Sequence, residues 1–132
     1  MNATALQGFT TPKFLLEPIG FWKWRVEEPI SYVLSDGRSI YVPRGFITNF
    51  ASTPRFVWSL WPPWRWDYGP AAIVHDMGYY MHYALRDFTF TKDEIDKLYY
   101  TIMLERNTPK ATANIHYLAV QKFGDKAWNG QK

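Results

Sequence analysis

The residues of this chain best suited to chemistry are His75 and Asp76, adjacent at the end of the run Ala71-Ala72-Ile73-Val74-His75-Asp76. The run reads as a helix that is apolar around most of its circumference, so at least one of the pair should be buried. A buried carboxylate needs a partner, because an unpaired buried charge costs several kcal/mol. Backbone, an arginine or a metal would serve. Neighbours on a helix point about 100° apart, so the two can share an ion only across the edge between them. For the same reason Asp76 is poorly aimed to orient His75 as a base. Asp96, on a later helix expected to face the first, is the better orienting carboxylate. His75, Asp76 and Asp96 are therefore the candidate ligands of a divalent metal or, without one, the acid/base group of a hydrolase. His82 lies on the face of His75 but about 10 Å along the axis, too far to share an ion directly. The plainer alternative is that His75 and Asp76 are hydrogen-bonded across a helix interface.

A second constellation lies in the segment Val42 to Arg55. Gly45 can take a positive φ, while Thr48, Asn49 and Ser52 can bond to neighbouring backbone or to a ligand. Ser52 is the candidate hydroxyl for catalysis, and Thr48, Asn49 and Arg55 are candidates for holding a substrate or partner. The competing reading is a strand-to-helix connection with a polar cap. The chain has no Gly-x-Ser-x-Gly elbow, phosphate-binding Gly-rich loop, His-Glu-x-x-His helix or EF-hand loop, which argues against a serine hydrolase and excludes P-loop nucleotide hydrolysis.

Between these two lie Trp58, Trp61, Trp64 and Trp66, four of the seven tryptophans, in a segment stiffened by Pro62-Pro63. The rings can plug a sheet–helix interface or form a stacking platform for a substrate or partner. They can also rest on a membrane surface through Trp64-Arg65-Trp66. An Arg65 cation–π contact with no function attached is a further option.

These residues must be positioned by two kinds of element. The first half is punctuated by proline and glycine. Phe14 to Leu16 is a short apolar run stopped by Pro18 and Gly20, and Phe21 to Glu27 alternates as a half-buried strand does. Ile30 to Leu34 and Ser39 to Val42 flank Asp36-Gly37, a hairpin signal. The second half reads as helices. One opens at Thr53-Pro54 and runs to about Leu60, a second runs from Pro70 to Tyr83, and a third follows the capping box Thr91-Lys92-Asp93-Glu94 to about Arg106. A fourth follows the cap signature Thr108-Pro109 to Phe123, with Gly124 as its stop. The expected fold is a single α+β domain: a flexible leader over 1–13, a small antiparallel sheet within 14–50, and three to four helices packed on it within 53–128.

Composition narrows the classes. With 132 residues, a net charge of +3 and no cysteine, the chain can hold a core but carries no disulfide, thiolate metal site or Cys nucleophile. Its basic residues are scattered rather than clustered, which argues against nucleic-acid binding. No secretory signal and no run of roughly 18 apolar residues is readable. Aromatic residues make up 19%, more than core filling requires, so some are expected to touch a ligand, a partner or a membrane.

Together, Val42-Pro43-x-Gly45-Phe46-x-Thr48, Ala51-Ser52-x-Pro54-Arg55, Ala71-Ala72-x-x-His75-Asp76 and the helix bearing Asp96 resemble the domain-of-unknown-function family numbered 1353. The resemblance runs from about Leu16 to Trp128 and includes Phe123-Gly124 and Trp128. It implies an origin in a tailed bacteriophage or prophage, in the host cytoplasm during infection or incorporated in the virion. Family positions fall on Thr48, Ser52, His75, Asp76 and Asp96. Asn49 stands where the family carries Asp, and a neutral amide is a weaker metal ligand and no base. The functional expectation is a small, metal-dependent hydrolase acting on the cell envelope or a protein. The alternative is a non-enzymatic virion subunit of tail, tip or head, docking to other virion proteins through its Trp-rich segment.

Overall fold

The computed structural model describes residues 8–10, 14–20, 23–50, 53–60 and 69–131. They form an α+β fold with two small antiparallel sheets before five helices, and the chain divides into two compact units, 1–49 and 50–132.

The first unit is built on the expected hairpin. β4 (Ile30–Val33) and β5 (Ser39–Val42) pair with Ile30 opposite Val42 and Tyr32 opposite Ile40. All four side chains are buried, so the period-2 alternation sends one face into the core. The turn closes as the Asp-Gly signal requires. Leu34 N–H donates to Arg38 O at 2.8 Å, Gly37 takes φ +93°, and Asp36 accepts from the Arg38 backbone and guanidinium.

Three expectations change in this unit. β1 (Gly8–Phe9) pairs with β4, and its Phe9 ring sits edge-on to Tyr32 at 5.0 Å, so part of the leader is a strand. β2 (Leu16–Gly20) begins where the apolar run was expected to stop, and it carries Pro18 on a strand that, among the described residues, pairs along one edge. β3 (Lys23–Val26) covers the described part of the expected strand and pairs on its other side with β6 (Ile47–Thr48). β6 lies inside the segment read as a connecting loop. Two residues are too few to show a period in sequence, and only the ladder to Trp24 and Arg25 makes them a strand. Gly45, just before it, takes φ +92°.

The helical unit positions the candidate site. α1 (Arg55–Leu60) starts one residue after Pro54, and α2 (Gly69–Tyr83) covers the expected second helix. α3 (Lys92–Glu105) opens on the expected capping box: Glu94 N–H donates to Thr91 Oγ1 at 3.1 Å, and Thr91 N–H donates to Glu94 Oε1 at 2.9 Å. Its stripe Ile95, Leu98, Tyr99 and Ile102 is buried. α4 (Lys110–Phe123) begins later than expected. Its N-cap is Pro109, which has no side-chain oxygen to offer, and Thr108 is buried one position upstream.

Gly124 ends α4 without a left-handed turn, at φ −87°. A β-carbon there would run into the Val120 carbonyl and lie 2.7 Å from the Tyr79 hydroxyl, so close approach excludes a side chain. The chain then forms an unexpected short helix, α5 (Asp125–Trp128). α3 packs on both α2 and α4, and α5 touches α2 and α4.

Candidate functional site

Ten of the fifteen residues of α2 are buried, including His75, Gly78 and Tyr79, because the helix is apolar nearly all round. Gly78 sets how close α3 comes. A β-carbon there would stand 2.6 Å from Ile95 Cδ1 and 2.9 Å from its Cγ2. The approach carries Asp96, the residue after Ile95, to His75.

The imidazole Nε2 of His75 lies 2.8 Å from Asp96 Oδ1, and the Tyr79 hydroxyl donates to the same oxygen at 2.7 Å. Lys92, one turn before Asp96 on α3, donates from Nζ to Oδ2 at 2.8 Å. The ammonium also reaches the carbonyls of Val120 at 3.1 Å and Gln121 at 3.4 Å, tying α3 to the end of α4. Both carboxylate oxygens are thus engaged, by three donors from two helices. The side chains of His75 and Asp96 are 0% and 1% exposed, and that of Lys92 is 19% exposed.

Burial alone would raise the pKa of Asp96. The hydrogen bond and charge of His75, followed by the bonds from Lys92 and Tyr79, outweigh it and hold the carboxyl below its ordinary value. Burial, and then the neighbouring Asp96 charge, push the Tyr79 phenol well above its ordinary range, which keeps it a donor. An ionised carboxylate only accepts, so His75 Nε2 carries a proton and donates to Asp96. The ring is wedged between aromatic neighbours, with centroids 4.4 Å from Tyr79 and 4.7 Å from Tyr99. The Tyr99 hydroxyl shares a 2.8 Å hydrogen bond with His116 Nδ1 on α4. At the other end of α2, His82 stacks on Trp128 at 3.8 Å and donates from Nδ1 to its carbonyl at 2.8 Å.

Of the residues singled out by sequence, His75 and Asp96 meet as expected. Asp76 is half-buried one position along α2. Among the described residues no three His, Asp or Glu side chains are grouped so as to hold an ion, so His75, Asp76 and Asp96 are not assembled as a ligand set. Thr48 is buried in β6, Asn49 is half-buried, and Arg55 is exposed at the start of α1. Ser52, Trp61, Trp64, Arg65 and Trp66 lie outside the described residues, as does the side chain of Trp58.

Tyr79 and Lys92 were not anticipated. Both were within reach of a helical rule, since Tyr79 follows His75 by four residues and Lys92 precedes Asp96 by four, which puts each on the same helix face as its partner.

A family model described as a protein of unknown function, DUF1353, matches residues 24–120. The chain belongs to this family. The DUF1353 match begins and ends inside the span expected from the sequence, leaving out β2 and the Phe123–Trp128 end, but it holds β3, β6, the His75–Asp96 pair and most of α4. Neither the curated proteins nor the solved structures gave a match.

Proposed function

We propose that the protein is a small hydrolase in which His75 is the general base and Asp96 its orienting carboxylate. The observation that supports this reading most is the convergence on Asp96: Oδ1 takes both the His75 Nε2–H and the Tyr79 hydroxyl while Lys92 holds Oδ2. Such a carboxylate orients the ring and stabilises its imidazolium form. In the proposed step, His75 removes a proton from water and the oxygen attacks a carbonyl carbon. The resulting imidazolium returns the proton to the leaving group as the bond to it breaks. A buried ionic network costs stability relative to apolar packing of equal volume, and chemistry gives this one a reason to exist.

The substrate would be an ester or amide of the cell envelope or of a protein. The phage or prophage setting implied by the family resemblance would make this a late-gene enzyme acting on the host. The test follows acid release from envelope preparations by pH-stat titration, with and without added divalent cation, because hard cations bind carboxylates such as that of Asp76. Release by the wild type, and loss of about a hundredfold or more in His75→Ala, is the expected result for a general base. Equal rates in the two proteins would overturn the reading.

The dryness of His75 and Asp96 favours a second reading, a non-enzymatic virion accessory protein in which the network only locks helices together. Mass spectrometry of purified particles tests it, and absence of the protein from them would remove it.

A further inference from the structure

α2, α3 and α4 bury ten, six and four residues, whereas α5 buries none completely. A single turn is too short to keep its hydrogen bonds in water unaided, so its cap and its contacts hold it. Gly130, at φ +74°, donates to the Ala127 carbonyl at 3.0 Å, and Gln131 N–H reaches that of Lys126 at 2.8 Å, closing the turn on itself. The outward contacts fall at its two ends. At the far end the Trp128 ring stacks on His82 at 3.8 Å and stands edge-on to Tyr79 at 5.1 Å, while its carbonyl accepts from His82 at 2.8 Å. At the near end Asp125 stands 3.7 Å from Lys92 with its side chain 81% exposed. That pair is beyond hydrogen-bond distance and screened by water, so it holds weakly.

Tyr79 and Lys92 are two of the three donors to Asp96, one at each carboxylate oxygen. α5 therefore touches the network twice, Trp128 against the ring that serves Oδ1 and Asp125 before the ammonium that serves Oδ2. Gly124, at the joint with α4, leaves room for the Tyr79 hydroxyl. A segment that buries little and carries its own cap can detach as a unit while the longer helices stay packed. Detachment uncovers Tyr79 and Lys92, and with them the Asp96 side of a site whose His75 and Asp96 side chains are dry.

We infer that α5 is a gate on this site: docked, it covers the Tyr79 and Lys92 donors of Asp96, and undocked, it opens that side of the network to water and to a ligand. That the gate admits a substrate rests on the hydrolase reading above. The movement itself rests on the packing of α5 alone.

The experiment uses the full chain and two readouts: the rate at which an acylating reagent labels each lysine, resolved by peptide mass spectrometry, and acid release from envelope preparations. Wild-type Lys92 should label about tenfold or more slower than the exposed Lys97 and Lys122. Trp128→Ala removes the stack and the edge contact, and should speed Lys92 labelling by about fivefold or more with Lys97 and Lys122 unchanged. Trp128→Phe keeps a ring there and should restore the slow rate. The chain has no cysteine, so a pair can be installed to lock the gate. A β-carbon on residue 130 would lie 3.2 Å from that of Tyr83, near the separation a disulfide spans. Oxidised Tyr83→Cys/Gly130→Cys should label Lys92 about fivefold or more slower than its reduced form, and should lose acid release about tenfold or more until reductant restores it. Urea melts check that each variant is folded, and if Trp128→Ala is not, the oxidised and reduced pair carry the comparison. Lys92 labelling that does not respond overturns the gate, as does a folded pair that will not oxidise, because the docked geometry then fails. Labelling that responds while acid release does not overturns substrate gating and leaves the hydrolase standing. Labelling that responds in a protein releasing no acid in any form keeps the gate and overturns the hydrolase.

Discussion

Asp96→Asn is the sharpest perturbation of this molecule, because it keeps the shape of the side chain while removing its charge and half its accepting capacity. Three donors meet at Asp96: His75 Nε2 at 2.8 Å, Tyr79 at 2.7 Å and Lys92 at 2.8 Å. An amide has one accepting oxygen, so if it serves His75 and Tyr79 its NH2 faces the ammonium of Lys92. A hydrogen bond to a charged group contributes ~1.5–3 kcal/mol. The loss at Lys92 is partly recovered, since its Nζ keeps the Val120 carbonyl at 3.1 Å and is partly open to water. The two remaining bonds weaken as their acceptor loses its charge. Together these give a loss of roughly 2–4 kcal/mol with no cavity formed, below the ~3–5 kcal/mol of a fully dry broken pair. At ~3–5 °C per kcal/mol for a chain of this length, the midpoint should fall by roughly 6–20 °C.

The pH dependence is a second readout of the same variant. Asp96 titrates lower in the folded protein than in the unfolded chain. Between those two values the unfolded state binds more protons, so stability rises with pH there. The Asp96 contribution is complete above the unfolded value and is lost as the pH falls through the folded one. Urea unfolding followed by tryptophan fluorescence should therefore show wild-type stability declining through the acid end of the carboxylate range, with a shallower decline in Asp96→Asn. A loss below ~0.5 kcal/mol, the size of an ordinary surface change, or an unchanged pH slope would refute the account of the network.

Tyr79→Phe removes only the 2.7 Å bond to Asp96 and should cost ~1.5–3 kcal/mol; in the hydrolase reading it also lowers activity without abolishing it. Gly78→Ala forces a β-carbon against Ile95 and should destabilise by ~1–3 kcal/mol in the same urea assay, by pushing α3 away from His75. Thr91→Ala breaks the capping box and should cost ~0.5–2 kcal/mol, read as earlier hydrogen exchange in the first turn of α3.

The helices α1 to α4 were legible because each carries local instructions. Thr91 and Glu94 cap α3, the stripe from Ile95 to Ile102 fixes its buried side, and Asp36-Gly37 closes the hairpin through a backbone only glycine enters easily. β6 and α5 were not legible. One is two residues long and the other four, and what makes them elements is respectively the ladder to β3 and packing on α2 and α4. Thr108-Pro109 misled by one position, because a threonine followed by proline looks the same whether the helix starts at the proline or one residue after it.

For the candidate site, the sequence by itself determined that α2 would bury at least one of His75 and Asp76, that a buried carboxylate would need a partner, and that Asp96, on a later helix, was the better carboxylate to orient His75. Those follow from helical period and from the cost of an unpaired buried charge, both local in origin. Only the tertiary structure decided that Gly78 lets Ile95 in close enough for a 2.8 Å contact, that Tyr79 and Lys92 complete the carboxylate's partners, and that Asp76 does not join them. A hydrogen bond depends on tenths of an ångström between groups twenty-one residues apart, and that distance is set by how two helices pack.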